Sequence, residues 1–214
     1  MFQKYFYNFL LIFVLLFFTA CSSSDQERIV IQKKTIPLQK LYTEAYNSFK
    51  NNDYNQAVVL FEMVEKDYSY TEWAPQALLM RSYMYYESGD YITALTNLQR
   101  FKQRHSGSKD LQYVEYLIGI CMFEQINIAA LSQENTELAL RQFNKIILNY
   151  PNSSYATDAK FKIDLINEQK AGKEMYLARY YAGKGKWLPA LYRLNNVFKD
   201  YQTTIFIEEA LHRL

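Results

Sequence analysis

The chain has 214 residues, half of them apolar and 17% aromatic, which is ample for a buried core in one or two domains. A formal net charge of +2 is too balanced to argue for a nucleic-acid partner. Two histidines and six scattered glycines exclude a paired-histidine metal site, a dinucleotide fingerprint and a P-loop.

The N-terminus differs from the rest. Lys4 precedes an almost unbroken apolar run from Phe9 to Phe18, followed by Thr19, Ala20, Cys21 and Ser22-Ser23-Ser24. A basic start, a short apolar run and small residues at its end predict a secretory signal over residues 1–20. The run is too short to span a bilayer, which takes about 20 residues. The polar stretch from Ser22 to Lys34 predicts a tether over residues 21–35.

From residue 36 to 214 the pattern is helical. Helices are expected at 38–51 and 54–66, 73–88 and 91–104, 109–125 and 135–149, 153–184 and 187–200, with a further start at 204. Asn51-Asn52-Asp53, Ser88-Gly89-Asp90 and Gly183-Lys184-Gly185 carry the capping chemistry of tight turns between helices. Pro151 stops one helix and Ser153 can cap the next. A bend is expected near Gly172, where helix propensity is poor.

The second helix of each pair opens on the same spacing. Ala57, Ala94, Ala139 and Ala190 are followed four residues on by Phe61, Leu98, Phe143 and Leu194. Seven on come Val64, Phe101, Ile146 and Val197, and eleven on come Tyr68, His105, Tyr150 and Tyr201. Tyr54, Tyr91 and Trp187 stand three before an alanine, with Thr136 in the third copy. Steps of three, four and seven lie on one helical face, and the small leading residue suits close approach to a neighbour.

The first echo, Ala57 to Ala94, is 37 residues, near the period of about 34 of a tetratricopeptide repeat. Asn52-Asp53-Tyr54-Asn55-Gln56-Ala57 and Ser88-Gly89-Asp90-Tyr91-Ile92-Thr93-Ala94 resemble that family's turn between helices. The longer later periods are accounted for by extra residues around Asn127 to Asn135 and by an extended helix over 153–184. The fold class expected is all-α, a tetratricopeptide-like solenoid of helix pairs with about four to five repeats, because each pair leaves an apolar face that only the next can cover. Whether the last unit is a cut fifth pair or a lone capping helix stays open.

No nucleophile stands beside a base, and the only adjacent acids, Glu208-Glu209, sit at a helix start where the dipole favours them. Cys121, in an apolar stretch, is expected to be a small hydrophobe in a helix core. The reading is a binding scaffold, with no enzyme activity and no cofactor. Twenty tyrosines fit either the drift of an AT-rich genome, alongside Asn, Ile and Lys, or a dedicated aromatic surface.

Cys21 directly after small residues resembles the lipobox of bacterial lipoproteins, with Phe18 in place of the usual Leu, Val or Ile; an ordinary cleavage site is the alternative. The resemblance implies a lipidated Cys21, whose acyl chains at about 0.8 kcal/mol per CH₂ would hold the protein on a membrane. Ser22 rather than Asp after the cysteine implies, by analogy with Gram-negative sorting, the outer membrane. Together with the repeats, the chain resembles the BamD family of the outer-membrane β-barrel assembly machinery. Asn149-Tyr150-Pro151-Asn152-Ser153-Ser154-Tyr155-Ala156-Thr157-Asp158-Ala159 matches that family's third-to-fourth repeat junction, which Tol-Pal-associated repeat proteins share. Tyr113-Val114, Tyr116, Gly119, Glu174, Tyr180-Tyr181, Gly185, Trp187 and Arg193 fall at the family's spacing. The family's Tyr-Pro-Phe-Gly-Pro-Tyr after the first repeat is here Tyr68-Ser69-Tyr70-Thr71-Glu72-Trp73.

The resemblance implies a lipoprotein on the periplasmic face of the outer membrane. It would dock on the periplasmic domains of the barrel-forming subunit, receive unfolded outer-membrane proteins and sit beside other assembly lipoproteins. Arg193, Glu174 and Trp187 fall at the family's partner-binding end, with Arg193 at a basic position facing an acidic residue; a solvated Arg193 is the alternative. Tyr68, Tyr70 and Trp73 are candidates for the substrate groove, with packing between repeats as the alternative. A different repeat lipoprotein, serving pilus secretin assembly or a Tol-Pal constriction scaffold, is the competing function, and a lipid-anchored cell-wall enzyme is the third.

Overall fold

Residues 36–126 and 133–214 are described by the computed structural model. The expected signal, Cys21 and the tether lie outside the described residues, as does most of the 127–135 insertion. The described residues form nine α-helices and no strand: α1 (Leu38–Lys50), α2 (Tyr54–Asp67), α3 (Trp73–Glu87), α4 (Tyr91–Arg104), α5 (Leu111–Glu124), α6 (Gln133–Asn149), α7 (Ser154–Gly183), α8 (Trp187–Asp200) and α9 (Ile207–Arg213). Each helix packs on the next in chain order, and α5 also touches α7. The pairs α1/α2, α3/α4, α5/α6 and α7/α8 therefore stack as a helix-pair solenoid, and α9 rests on α8.

The turns inside three of the pairs are copies of one another. Asn52, Gly89 and Gly185 take positive φ (59°, 80° and 68°), and the next amide donates to the carbonyl five residues back. Those bonds, Asp53 to Ser48, Asp90 to Tyr85 and Lys186 to Tyr181, are all 2.9 Å. Left-handed closure of this kind satisfies the last carbonyls of the first helix. The Asp53 and Asp90 carboxylates then accept the amides of Gln56 and Thr93 at 3.1 Å, capping α2 and α4. Ser153 caps α7 in the same way, accepting from the Ala156 amide at 3.1 Å.

The four echo alanines are buried, and so are the residues four and seven positions beyond them. Phe61, Phe101 and Phe143 are fully covered, each burial worth about 1.5–3 kcal/mol. The aromatic position three before the alanine is less regular: Tyr54 and Tyr91 are half-buried, Thr136 is buried and Trp187 faces outward. His105 closes α4 with its ring 5.2 Å from that of Phe101, a turn-packing role. Cys121 is buried, and that burial pushes its thiol up to about 12, so it stays protonated and behaves as a hydrophobe.

Three apolar clusters follow one another along the array. The first joins α1, α2 and α3; the second runs from Leu78 of α3 to Ile166 of α7; the third joins Met175 and Ala178 of α7 to α8 and α9. The thirty residues of α7 therefore serve two cores, with the changeover between Ile166 and Met175.

Gly172, the expected bend point, lies in that changeover. Helix continues through it, and its bare Cα admits the Phe206 ring, from which a Cβ would stand only 3.3 Å. The last helix also begins later than expected. Buried Thr204 donates to the Tyr201 carbonyl at 2.7 Å and closes a turn, so α9 starts at Ile207.

Candidate partner-docking cleft

Polar side chains meet at an equivalent place inside three successive pairs. On the second helix they stand three and six residues after the echo alanine: Asn97 and Arg100, Gln142 and Lys145, Arg193 and Asn196. On the facing first helix stand Arg81, Glu115 and Glu174. Arg81 donates to Asn97 at 3.1 Å. Lys145 donates to the Glu115 carboxylate and Gln142 to the Glu115 carbonyl, both at 2.9 Å. Arg193 Nη1 donates to Glu174 Oε1 at 3.1 Å and Asn196 to Oε2 at 3.0 Å. The first pair has Leu60 and Met63 at these positions instead.

The first two of these clasps are closed by the preceding repeat, from the position eight after the alanine. Glu65 reaches Arg81 at 3.2 Å and Arg100 at 2.9 Å, with Glu62 at 3.5 Å from Arg81. Lys102 reaches Glu115 at 3.0 Å. Burial alone would raise the Glu115 carboxyl, but the Lys145 and Lys102 ammonium groups outweigh it and hold the group below the ordinary carboxylate value. Arg81 and Glu115 are nearly solvent-free and matched on both sides.

The third clasp differs. Its residue at that position is Ile147, which packs in the second core. The second half of α7 packs with α8 and α9, and Glu174 belongs to that half. A cleft of about 480 Å³ opens here, lined by Thr136 and Glu137 at the start of α6, Lys170, Lys173, Glu174 and Leu177 of α7, Arg193 of α8, and Tyr201 just beyond the end of α8. The Arg193 and Glu174 side chains are 31% and 17% exposed, so this pair meets solvent where the other two centres do not. Lys170 also stands 5.8 Å from the Tyr201 ring centroid.

The structure brings Arg193 and Glu174 together but sets Trp187 apart. Trp187 is 67% exposed and lines a smaller cavity of about 130 Å³ with Arg179, Leu191 and Arg213. Leu188, Leu191 and Tyr192 beside it also face outward, leaving an apolar surface at the start of α8. At the opposite end of the array, the Tyr68 hydroxyl donates to the Ile36 carbonyl at 2.6 Å and the Trp73 ring lies 4.7 Å from that of Tyr42. Those two residues pack against the first apolar cluster, whereas Tyr70 is fully exposed. Sequence reasoning missed Asn196, Lys170 and Lys173. Two local signals were available: Asn196 stands six after an echo alanine, and Lys170 lies one helical turn before Glu174.

Beyond the described residues' own geometry, the chain has relatives. A family profile described as YfiO, outer membrane lipoprotein, matches residues 34–214. A protein of Caulobacter vibrioides named outer membrane protein assembly factor BamD is 39% identical over 178 residues, covering 83% of this chain and 58% of that protein. The protein of the same name in Rickettsia prowazekii is 33% identical over 178 residues, covering 83% of this chain and 71% of that one. Its namesake in Neisseria gonorrhoeae is 30% identical, covering 90% and 76%. The chain thus spans somewhat more than half the length of the Caulobacter relative and about three quarters of the Neisseria one. Among solved structures, the TPR domain of P58(IPK) overlays with a TM-score of 0.49 at 15% identity, covering 82% of this chain and 44% of that one. With a family match across the whole repeat array, the chain belongs to the YfiO family of outer membrane lipoproteins, alongside the BamD assembly factors.

Proposed function

We propose that this protein is a non-enzymatic subunit of the machinery that assembles β-barrel proteins into the outer membrane. One observation carries the reading: the repeat array is matched throughout by a family whose cited relatives are named for outer membrane protein assembly. In this account residues 1–20 are a cleaved signal. Cys21 carries the lipid that holds the protein on the periplasmic face, and residues 21–35 let the repeats reach away from the membrane.

The repeats act as an adaptor. The α7/α8 end docks on periplasmic domains of the barrel-forming subunit, with Arg193 meeting an acidic partner residue and Trp187 seated in an apolar contact. Two features support this end: the half-exposed Arg193 beside an open cleft, and the outward apolar face from Trp187 to Tyr192. A guanidinium suits such a contact because its planar fork can hold a carboxylate with two parallel bonds. Unfolded outer-membrane proteins are received at the other end, near exposed Tyr70, where Tyr68 and Trp73 shape the wall rather than offer contact area. Other assembly lipoproteins join the same complex, and nucleic acid has no part in it.

Controlled depletion in the native bacterium tests this. The account requires a general fall in outer-membrane β-barrel proteins, with piliation and septation affected only later. Early loss of pili or constriction with normal barrel proteins would favour the competing scaffold role.

A further inference from the structure

Arg193 in the free chain is already occupied. Its Nη1 donates to both Glu174 oxygens, at 3.1 and 3.3 Å, so an internal carboxylate already holds one prong of the guanidinium and offsets the charge that an acidic partner would meet. We propose that Glu174 is an internal competitor for Arg193, and that docking proceeds by exchange of the Glu174 carboxylate for the partner's. The inference rests on the docking reading above and concerns its regulation.

Three observations make this clasp exchangeable and the other two fixed. Arg81 and Glu115 are almost without solvent contact and are matched from two helices, so removing a partner would strand a buried charge. Glu174 and Arg193 face a cleft wide enough for an incoming side chain, and water can solvate either group during the swap. Glu174 also has somewhere to go. Asn196 donates to its second oxygen at 3.0 Å and can keep that bond when Arg193 departs. Lys170, one turn earlier on α7, lines the same cleft and can move from the Tyr201 ring to the released carboxylate. Lys173, beside it, adds positive potential that favours an anionic arrival.

The consequence is a brake on docking. Each bound partner must pay back the Glu174–Arg193 attraction, so removing the charge of Glu174 strengthens binding, the reverse of what a pre-organising clasp would give.

The experiment measures the dissociation constant between the detergent-solubilised full chain and purified periplasmic domains of the barrel-forming subunit. Glu174→Gln keeps the side-chain shape and should bind tighter by about fivefold, while Arg193→Gln should bind at least about tenfold weaker. Asn196→Lys gives Glu174 another cation and should also tighten binding, an independent check if Glu174→Gln proves unstable. In the Glu174→Gln/Arg193→Gln double variant the gain should vanish, because it acts through Arg193. Weaker or unchanged binding in Glu174→Gln and Asn196→Lys, with Arg193→Gln still impaired, would overturn the exchange and leave the docking reading standing. Wild-type affinity in Arg193→Gln would overturn both.

Discussion

Gly119 of α5 lies beneath the Phe143 ring of α6, so close that a Cβ on Gly119 would stand 2.8 Å from the ring's Cε1. Phe143 is fully buried and lies one turn beyond buried Ala139, on the same face of α6. Gly119→Ala has no room without moving the ring. It should cost about 1–3 kcal/mol in urea or thermal unfolding, as should Ala139→Leu, one turn before Phe143 and also buried. A neutral or stabilised Gly119→Ala, as helix propensity alone would give, would show that this junction is looser than described.

A second prediction concerns Glu115, held between Lys102 and Lys145. Its pKa in the folded state lies below the ordinary value. The ion cluster therefore stabilises the fold at pH values above the ordinary carboxylate range, and the contribution is lost as pH falls through the lowered folded value. Glu115→Gln should cost about 1–2 kcal/mol near neutral pH, since both lysines can turn to solvent. The gap from wild type should close below about pH 4. A gap that stays constant across denaturation curves from pH 7 to 3 would mean that packing, not charge, is what the variant loses.

The alanine echo was legible because it rests on a steric rule: a small residue, then large ones on the same helical face, with nowhere to go except into the neighbouring helix. The turns at Asn52, Gly89 and Gly185 were legible for a similar reason, since few residues tolerate positive φ. The polar clasps were not. Asn97, Gln142 and Arg193 occupy the edge of that face, where a polar residue reads as solvated until the opposite helix is seen. The charged centre also changes sign from Arg81 to Glu115 and Glu174, so no single residue identity marks all three clasps. At Gly172 low helix propensity and close approach leave the same trace in a sequence, and only the Phe206 ring against it reveals the close approach.

A third prediction uses the contact that fastens the start of the array. Tyr68 donates to the Ile36 carbonyl, just ahead of α1. Tyr68→Phe removes the bond and leaves the ring, and should cost about 1 kcal/mol. Hydrogen exchange should quicken locally in the first turn of α1, including the Leu41 amide that bonds to Pro37. Unchanged protection there would mean that the first turn is held by Leu41 packing alone.

The fourth concerns the anchor. Cys21→Ser removes the only sulfur at the expected processing site, so the protein should be released in soluble form or retained with its signal attached. Palmitate labelling and mass spectrometry of the mature N-terminus check this directly. Wild-type processing that is insensitive to globomycin would contradict lipidation at Cys21.

The most direct measurement of the central claim is the set of proteins that co-purify with the wild-type chain from its own membrane in mild detergent. The account predicts a barrel-forming outer-membrane subunit in stoichiometric amount, lost when Arg193→Glu is introduced into an otherwise folded, helical protein. Recovery of only cell-wall or pilus factors, with no barrel-forming partner, would contradict it.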